Sequence, residues 1–345
     1  MQTNQPTPER ILQTGLGFWA SKTLLAAVNL KLFTQLGEKG KLSGPAIKKL
    51  LGFQCTDRNV YDFLDTLTSL GFLQREGLME TALYSNGGDT GFFLDAGKPG
   101  YIGGILEMAN NRLYNFWGNL EEGLLTGMPQ NEAKQGVTDM FAKIYESPER
   151  LKEFVHAMSG VQMGNFMSFA QQFDFSNYTT LTDAGGAGAM LSLMVAKYQP
   201  HMQCRSFDLP AVAPIAQENI AKFGLSERVT TVDGDFFKEP LPTADVIVMG
   251  NILHDWDEEQ KLELVKKAWE ALPPGGAFVA IENIIDEERK QNTFGLMMSL
   301  NMLIETGKGF DYTFSDFTGW AKTAGFRDVS ILALTGPSSA AIAYK

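Results

Sequence analysis

The stretch TDAGGAGAM, Thr182–Met190, places three glycines directly after a β-rich run and directly before a helical one. Gly185, Gly186 and Gly188 let the backbone approach a ligand closely, and they equally permit tight packing of a strand against a helix. A strand, a glycine loop and a helix in this order begin the nucleotide-binding half of an open α/β fold. The rest of the chain indicates whether these glycines bind a ligand or only allow tight packing.

Downstream of this loop, short β-rich runs alternate with helical spans up to the C-terminus. The runs are TTLTDAGG, QCRSFDLP, VTTVDGDFF, ADVIVMGN, GAFVAIENII, DVSILALTG and SSAAIAYK. Such alternation predicts a parallel sheet with helices on both faces, and the turn at 336–338 predicts an antiparallel C-terminal hairpin. The predicted fold class is α/β: a Rossmann-like domain with a mostly parallel seven-stranded sheet, over residues 174–345.

The N-terminal part is predicted to be mostly helical. Residues 1–100 contain a helical segment reaching about Leu36, two short amphipathic helices and a hairpin turning near Gly77, which is the element order of a winged helix. The last of these helices is acidic, so DNA binding is disfavoured and a dimerisation or substrate-lid module is favoured. Residues 101–173 are helical in pattern and are predicted to connect the two domains and border the substrate pocket.

The composition excludes several classes of partner. With 40 acidic and 29 basic residues the formal net charge is −11, which repels nucleic acids and anionic membranes. No signal-peptide pattern or membrane-length apolar run occurs, so we expect a cytoplasmic protein. The two cysteines and three histidines have no ligand spacing, which predicts neither a disulfide nor a metal site.

Acidic residues near the glycine loop indicate the kind of nucleotide. Asp208 ends the second predicted strand, where a carboxylate accepts hydrogen bonds from an adenosine ribose. Asp183 would repel a pyrophosphate but suits a ligand that carries an ammonium and a sulfonium group. Asp235 and Phe236, after the third strand, suit an adenine amino group and its ring. Together these residues predict S-adenosylmethionine rather than a dinucleotide.

The segment VMGNILHDWDEEQ, 248–260, supplies the candidate catalytic group. His254 lies just past the end of the fourth predicted strand, where ligands collect in open α/β sheets, and its ordinary pKa near 6.5 suits a general base. Asp257 is expected to cap the helix that follows. Glu282 ends an otherwise apolar strand, where a carboxylate needs a partner, and His254 is the candidate.

Four motifs, DAGGAG, FDLP, GDFFKEPLP and LHDWDEE, occur in this order, and in them the chain resembles the class I S-adenosylmethionine-dependent O-methyltransferases of the plant caffeic-acid and vertebrate acetylserotonin type. The resemblance covers nearly the whole chain. It implies a homodimer formed through the N-terminal domain, a small-molecule acceptor and no metal. The site residues that it implies are Gly185, Asp208, Asp235, Phe236 and Tyr145 for the cofactor, and His254 as base braced by Glu282 and Asp311.

The sequence departs from that family at three points. Ala187 stands where the family loop usually has glycine, and Asp311 stands where a glutamate is common. Gly250 and Asn251 replace a basic residue, which leaves Asn251 as the candidate cofactor contact at this position. The last two changes flank the proposed base, so they bear on the atom that accepts the methyl group.

The favoured interpretation is methyl transfer to a small-molecule hydroxyl, preferably phenolic, with His254 as general base. An S-methyltransferase stays open, because a sulfur nucleophile needs little help from a base. An NAD(P)-dependent oxidoreductase is disfavoured by Asp183 and by the lack of a Tyr-x-x-x-Lys pair. A catalytically inactive regulator that senses S-adenosylmethionine is disfavoured by the presence of His254 together with Glu282.

Overall fold

The computed structural model describes residues 6–135 and 147–345. The described chain divides into two compact units between Asn115 and Phe116. The predicted domain limits at residues 100 and 173 stay predictions. None of the helices in the described ranges is long and apolar enough to cross a membrane.

The first unit consists of short helices and a small sheet. Its helices are α1 (Glu9–Gly15), α2 (Gly17–Asn29), α3 (Leu32–Lys39), α4 (Gly44–Leu51), α5 (Asp57–Ser69), α6 (Gly88–Phe93) and α7 (Gly103–Met108). Its strands are β1 (Leu42–Ser43), β2 (Leu73–Glu76) and β3 (Leu83–Asn86), in the sheet order β1-β3-β2. The predicted order of helices followed by a hairpin is confirmed. A π-helical stretch, Ala109–Leu113, and α8 (Tyr114–Trp117) follow α7.

The segment predicted as helical up to about Leu36 is three separate helices. Lys31 has φ 59°, in the left-handed region, and this residue separates α2 from α3. A left-handed residue cannot continue a right-handed helix, so the chain turns at this point. The turn buries Phe33 and Leu36 in the core of the first unit.

The second unit carries the larger sheet. Its helices are α9 (Leu120–Thr126), α10 (Pro148–Gln172), α11 (Met190–Tyr198), α12 (Ala213–Phe223), α13 (Glu258–Ala271), α14 (Thr293–Glu305) and α15 (Phe314–Ala324). Its strands are β4 (Thr180–Ala184), β5 (Gln203–Asp208), β6 (Val229–Asp233), β7 (Val246–Gly250), β8 (Ala277–Glu282), β9 (Asp328–Ala333) and β10 (Ser339–Tyr344). All seven strands lie in the runs that the sequence predicted.

The strand order in the second unit is β6-β5-β4-β7-β8-β10-β9. Every neighbouring pair from β6 to β8 is parallel, and β10 pairs antiparallel with both β8 and β9. The order of connections reverses at β4, which has β5 on one side and β7 on the other. Ligands of open α/β folds bind at the carboxyl edge of such a reversal point. The predicted, mostly parallel seven-stranded sheet is confirmed, and its carboxyl edge carries the glycine loop.

Both faces of this sheet are buried. Alternate residues of β7 pack in opposite layers, with Val246 and Val248 in one cluster and Ile247 and Met249 in the other. All four side chains are fully buried. This two-sided burial explains the continuous apolar run in the sequence, because a parallel strand covered by helices on both faces does not alternate with polar residues.

Candidate active site

The glycine loop crosses from the end of β4 toward the end of β5. Gly185 has φ 78°, in the left-handed region that favours glycine, and its N–H donates to the carbonyl of Phe207 at 2.8 Å. A Cβ on Gly185 would lie 2.3 Å from Cδ1 of Ile252. Both the backbone conformation and the side chain of Ile252 therefore require glycine at this position.

Asp208 holds the loop from the side of β5. Its Oδ2 accepts the N–H of Ala187 at 2.8 Å, and its Oδ1 accepts the N–H of Leu209 at 2.7 Å. Burial raises the pKa of the carboxyl, and the two hydrogen bonds oppose that rise. Each carboxylate oxygen keeps a lone pair. Asp208 therefore both fixes the loop and can accept hydrogen bonds from the hydroxyls of a ligand.

Asp235 and Phe236 follow β6 at the same edge. The Asp235 carboxylate accepts the N–H of Phe237 at 3.0 Å and pairs with Lys238 at 2.8 Å, and this ammonium lowers the pKa of Asp235. The half-buried Phe236 ring meets Trp256 edge-on with centroids 6.0 Å apart. Phe236, which lies beside Gly185, thus contacts the segment that carries His254.

Asn251 follows β7 in a left-handed conformation. Its φ is 55°, and its N–H donates to the carbonyl of Ile281 at 3.0 Å. Asparagine is one of the few residues other than glycine that visits this region routinely. The conformation gives a backbone reason for asparagine here, and the predicted cofactor contact stays a prediction.

Asp183 is buried next to Ser192 of α11, and its predicted role beside a cationic ligand stays a prediction. Its side chain is buried, and its Oδ2 accepts from the backbone N–H of Ser192 at 3.3 Å and from the Ser192 hydroxyl at 3.2 Å. Burial raises the pKa of Asp183 to about 7, against the lowering effect of the Ser192 hydrogen bonds. In the structure Asp183 therefore anchors the first turns of α11.

His254 lies between two carboxylates. It belongs to the 3₁₀ turn Leu253–Asp255 and is 5 % exposed. Its Nδ1 lies 3.5 Å from Oδ1 of Asp311, and its Nε2 lies 3.6 Å from Oδ1 of Asp255. The imidazole predicted as the base is thus buried at the carboxyl edge of the sheet with an acid beside each nitrogen, and the predicted bracing role of Asp311 stays a prediction.

Glu282 supports the backbone of this turn through one carboxylate oxygen. Its Oε1 accepts the N–H groups of Ile252 at 3.2 Å, Leu253 at 2.8 Å and His254 at 3.3 Å. The carboxylate reaches the start of the turn because β7 and β8 are parallel neighbours whose carboxyl ends lie side by side. The predicted role of Glu282 in bracing the ring stays a prediction.

The charges of this cluster act on one another strongly. Burial alone would lower the pKa of His254, but the carboxylates of Glu282, Asp255 and Asp311 outweigh it and raise the pKa to about 10. Burial raises the pKa of Glu282 to about 7 and that of Asp255 to about 6, against the lowering effect of His254. The cluster therefore favours a positively charged imidazole. His254, Asp255 and Glu282 each release a proton at a higher pH than the same group does in water.

Three further residues at this edge were not predicted from the sequence. Asp255 lies in the quoted segment but was not assigned a role, and Gly309 approaches the backbone of His254 so closely that a Cβ there would lie 2.5 Å from its carbonyl oxygen. Lys261 is completely buried in α13. Its signal was present, since it occupies an apolar position of an amphipathic helix, three and four residues before the buried Leu264 and Val265.

One ligand atom from each of His254, Glu282 and Asp311 lies within 4.8 Å of the others, which is close enough to surround a cation. The fully buried ammonium of Lys261 disfavours that use, because its positive charge acts on the carboxylates of both Glu282 and Asp311. A divalent cation would have to bind beside like charge.

One predicted site residue lies outside the described residues, and the two other histidines of the sequence lie away from this cluster. Tyr145, the predicted contact for the methionine end of the cofactor, lies outside them. His156 is exposed on α10. Nε2 of His201 lies 3.1 Å from the carbonyl oxygen of Phe175. His254 is the one histidine of the chain that the structure brings to the carboxyl edge.

Two known protein domains match the chain. Residues 117–327 match the O-methyltransferase domain, and residues 12–94 match the O-methyltransferase dimerisation domain. Both matches fall within the units that the structure separates.

Several known methyltransferases are similar to this chain over nearly its full length. The tetracenomycin polyketide synthesis 8-O-methyl transferase TcmO of Streptomyces glaucescens is 36% identical, over 98% of this chain and 97% of that protein. The N,N-dimethyltransferase OxyT of Streptomyces rimosus is 31% identical, over 92% of this chain and 90% of that protein. The crystal structure of human N-acetylserotonin methyltransferase in complex with SAM superposes with a TM-score of 0.90 and 28% identity, over 100% of this chain and 99% of that one.

Proposed function

The chain belongs to the S-adenosylmethionine-dependent O-methyltransferases that carry an N-terminal dimerisation domain, and we propose that it methylates a phenolic hydroxyl of a small aromatic acceptor with His254 as general base. The observation that carries the proposal is the buried imidazole of His254, with Asp311 and Asp255 beside its two nitrogens at 3.5 and 3.6 Å.

The residues at the carboxyl edge fit S-adenosylmethionine. The loop at Gly185 presents backbone close to a ligand, Asp208 keeps lone pairs for the ribose hydroxyls, and Phe236 offers a half-buried ring face to the adenine. Asp235 is 24 % exposed in its side chain and can accept from the adenine amino group. When bound, the cofactor supplies a methyl group on a sulfonium that is open to in-line attack.

The carboxylates of Asp311 and Asp255 have different effects on the two nitrogens of His254. Asp311 beside Nδ1 favours the tautomer with its proton on Nδ1, which leaves Nε2 to take the proton of an acceptor hydroxyl. Asp255 beside Nε2 then stabilises the imidazolium that forms. Glu282 keeps the turn in place through its three backbone hydrogen bonds.

The protonation of His254 favours a phenol over an aliphatic alcohol. The pKa of His254, raised to about 10 by its carboxylates despite burial, lies close to the roughly 10 of a free phenol such as a tyrosine side chain. A phenol gives up its proton to such a base far more readily than an aliphatic alcohol does, because a phenol is the stronger acid. A sulfonium bound at the same edge disfavours the imidazolium, so it shifts His254 toward the neutral form that accepts a proton.

We also propose that the protein is a homodimer through its N-terminal helices. Helix α1 has seven residues and buries none of them within the chain, and a helix this short is not stable alone. Exposed apolar side chains continue from α1 into α2: Ile11, Leu12, Leu16, Phe18 and Trp19. The match to a dimerisation domain over residues 12–94 supports a second copy as the partner that covers them.

The acceptor atom can be tested with three probes that differ in one atom: 1-naphthol, 1-naphthalenethiol and 1-naphthylamine. We expect the purified chain with S-adenosylmethionine to methylate 1-naphthol most efficiently. The proposed site provides a base, and of the three probes only the hydroxyl depends strongly on one. Methylation of the thiol alone would establish the S-methyltransferase alternative, and methylation of the amine alone would match the activity that the name of OxyT describes. Either result overturns the assignment to oxygen.

The variant His254→Ala tests the base. We expect its kcat with 1-naphthol to fall by about 10²- to 10⁴-fold, as for the loss of a general base, with a much smaller loss for the thiol. Calorimetry with S-adenosylhomocysteine checks that the cofactor still binds. His156→Ala, at an exposed histidine of α10, is the matched control and should behave as wild type. Turnover of 1-naphthol within tenfold of wild type in His254→Ala would contradict the proposed role.

A further inference from the structure

Lys261 is the most unusual charged residue of the second unit. Its exposed fraction is 0 %, and its neighbours on the inner face of α13 are Leu264, Val265 and Ala268. A lysine is almost never fully buried unless its ammonium is compensated, because removing the charge from water costs free energy. The ammonium of Lys261 therefore needs compensating contacts inside the protein, which an apolar side chain at this position would not need.

The contacts of the ammonium connect two segments of the active site. Nζ of Lys261 donates to the carbonyl oxygen of Trp256, in the segment that carries His254. It also lies 3.4 Å from the centroid of the Phe310 ring, next in the chain to Asp311. One buried side chain thus ties the segment that holds the imidazole to the segment that holds its carboxylate partner.

The same ammonium lies within a cluster of buried acids. Three carboxylates, of Asp255, Glu282 and Asp311, surround His254 and act on Lys261 as well. With these three negative charges against one imidazole, a second cation is needed to keep the buried cluster close to neutral. Lys261 supplies this cation, since it is the only fully buried lysine or arginine among the residues that the structure describes.

Building on the proposed function, we propose that Lys261 is a positioning residue for His254. Its buried ammonium holds the Trp256 and Phe310 segments together and offsets the charge of the carboxylates that surround His254.

The pKa shifts show that the same carboxylates act on Lys261 and on His254. Burial lowers the pKa of Lys261 to about 8, against the raising effect of the carboxylates. The carboxylates outweigh burial at His254 and raise its pKa. The groups that face this pair are Asp255 and Asp257 from the turn before α13, Glu282 from β8, Asp311 from the 306–313 loop, and Glu305 from α14, which acts on Asp255. All of them are acids, so removing Lys261 leaves His254 in a more negative surrounding.

Two substitutions separate the charge from the hydrogen bond. Lys261→Gln keeps a donor for the Trp256 carbonyl and loses the charge, whereas Lys261→Arg keeps the charge. We expect the acidic limb of the kcat profile with 1-naphthol to move to higher pH by about one unit in Lys261→Gln, so that turnover on that limb falls about tenfold. Lys261→Arg should restore most of the turnover, and the affinity for S-adenosylhomocysteine should stay within about twofold in both.

The control is Lys266→Gln, at an exposed lysine of the same helix. We expect its pH profile to superimpose on that of wild type. A folded Lys261→Gln variant with the wild-type pH profile overturns the proposal. Loss of the native fold in both Lys261→Gln and Lys261→Met, judged by circular dichroism, also overturns it, because Lys261 would then serve stability and not the base.

A second measurement does not depend on methyl transfer. The chain has only three histidines, so spectra of protein labelled with ¹⁵N-histidine resolve His254 once His156→Gln and His201→Gln have assigned the other two signals. We expect the titration midpoint of His254, without cofactor or acceptor, to lie at higher pH in Lys261→Gln than in wild type or Lys266→Gln. An unchanged midpoint rejects the role of Lys261, whereas a shifted midpoint without naphthol turnover rejects only the proposed reaction.

Discussion

At the scale of single residues, the backbone at Gly309 comes closer to the turn Leu253–Asp255 than a residue with a side chain would permit. A Cβ there would lie 2.5 Å from the carbonyl oxygen of His254, 2.7 Å from the carbonyl carbon of Asp255 and 2.6 Å from Oγ1 of Thr306. We expect Gly309→Ala to displace the turn, lower kcat with 1-naphthol by at least about tenfold and destabilise the fold by about 1–3 kcal/mol. Steady-state kinetics and thermal unfolding measure both effects.

A matched glycine is available for comparison. A Cβ at Gly319, in the exposed part of α15, would meet nothing within 4 Å. Gly319→Ala should leave kcat unchanged and stabilise the fold by about 0.4–1 kcal/mol, because alanine lowers the entropy of the unfolded chain. If Gly309→Ala matched this control in both measurements, the close approach to His254 would have no functional meaning.

The residue scale also shows why an acid is easier to predict than its partner. Glu282 was identified because a carboxylate at the end of a buried strand needs hydrogen bonds. Its partners proved to be three backbone N–H groups, while the imidazole of His254 faces Asp311 and Asp255. Sequence shows that a buried charge must be compensated, but the direction of the side chain decides which group does so.

At the scale of elements, Asp208 couples the glycine loop to β5 through the N–H of Ala187. We expect Asp208→Asn to weaken the binding of S-adenosylhomocysteine by about 10- to 100-fold, since it removes a charge-assisted acceptor worth about 1.5–3 kcal/mol. Isothermal titration calorimetry gives the affinity. The expected loss lies in cofactor binding, so kcat at saturating cofactor should fall much less.

The neighbouring strand provides the control for this change. Asp233 ends β6 and is the register partner of Asp208, but it is exposed. Asp233→Asn should leave the affinity for S-adenosylhomocysteine within about twofold of wild type. Equal losses in the two variants would show that the general charge of the sheet edge, and not the loop contact of Asp208, determines cofactor binding.

At the scale of the whole molecule, the dimer prediction depends on the exposed apolar side chains of α1 and α2. Leu12 is 53 % exposed and Trp19 is 61 % exposed. We expect Leu12→Glu combined with Trp19→Glu to convert the dimer into a monomer in sedimentation velocity, because two charges would be buried without partners at the interface. Ile331→Glu, on β9 at a residue 47 % exposed, should sediment as wild type. A wild-type chain that sediments as a monomer would contradict the homodimer.

Local sequence patterns determined the strands of the second unit and their order along the chain. The seven strands, the glycine loop at 185, the acid at 208 and the histidine past the fourth strand all follow from short-range patterns, because strand alternation, turn chemistry and apolar runs are set by neighbouring residues. The resemblance of four motifs then predicted the family, and Asp311 beside His254.

Only the tertiary structure decided how the charges around His254 are arranged. Asp255, Lys261 and Gly309 became part of the site because α13, β8 and the loop before α15 converge on one turn. Glu282, Gly309 and Asp311 reach this turn from distant parts of the sequence, so no local period or spacing records the distances. The free energy of a buried charge depends on every group packed around it, and packing is a property of the folded chain.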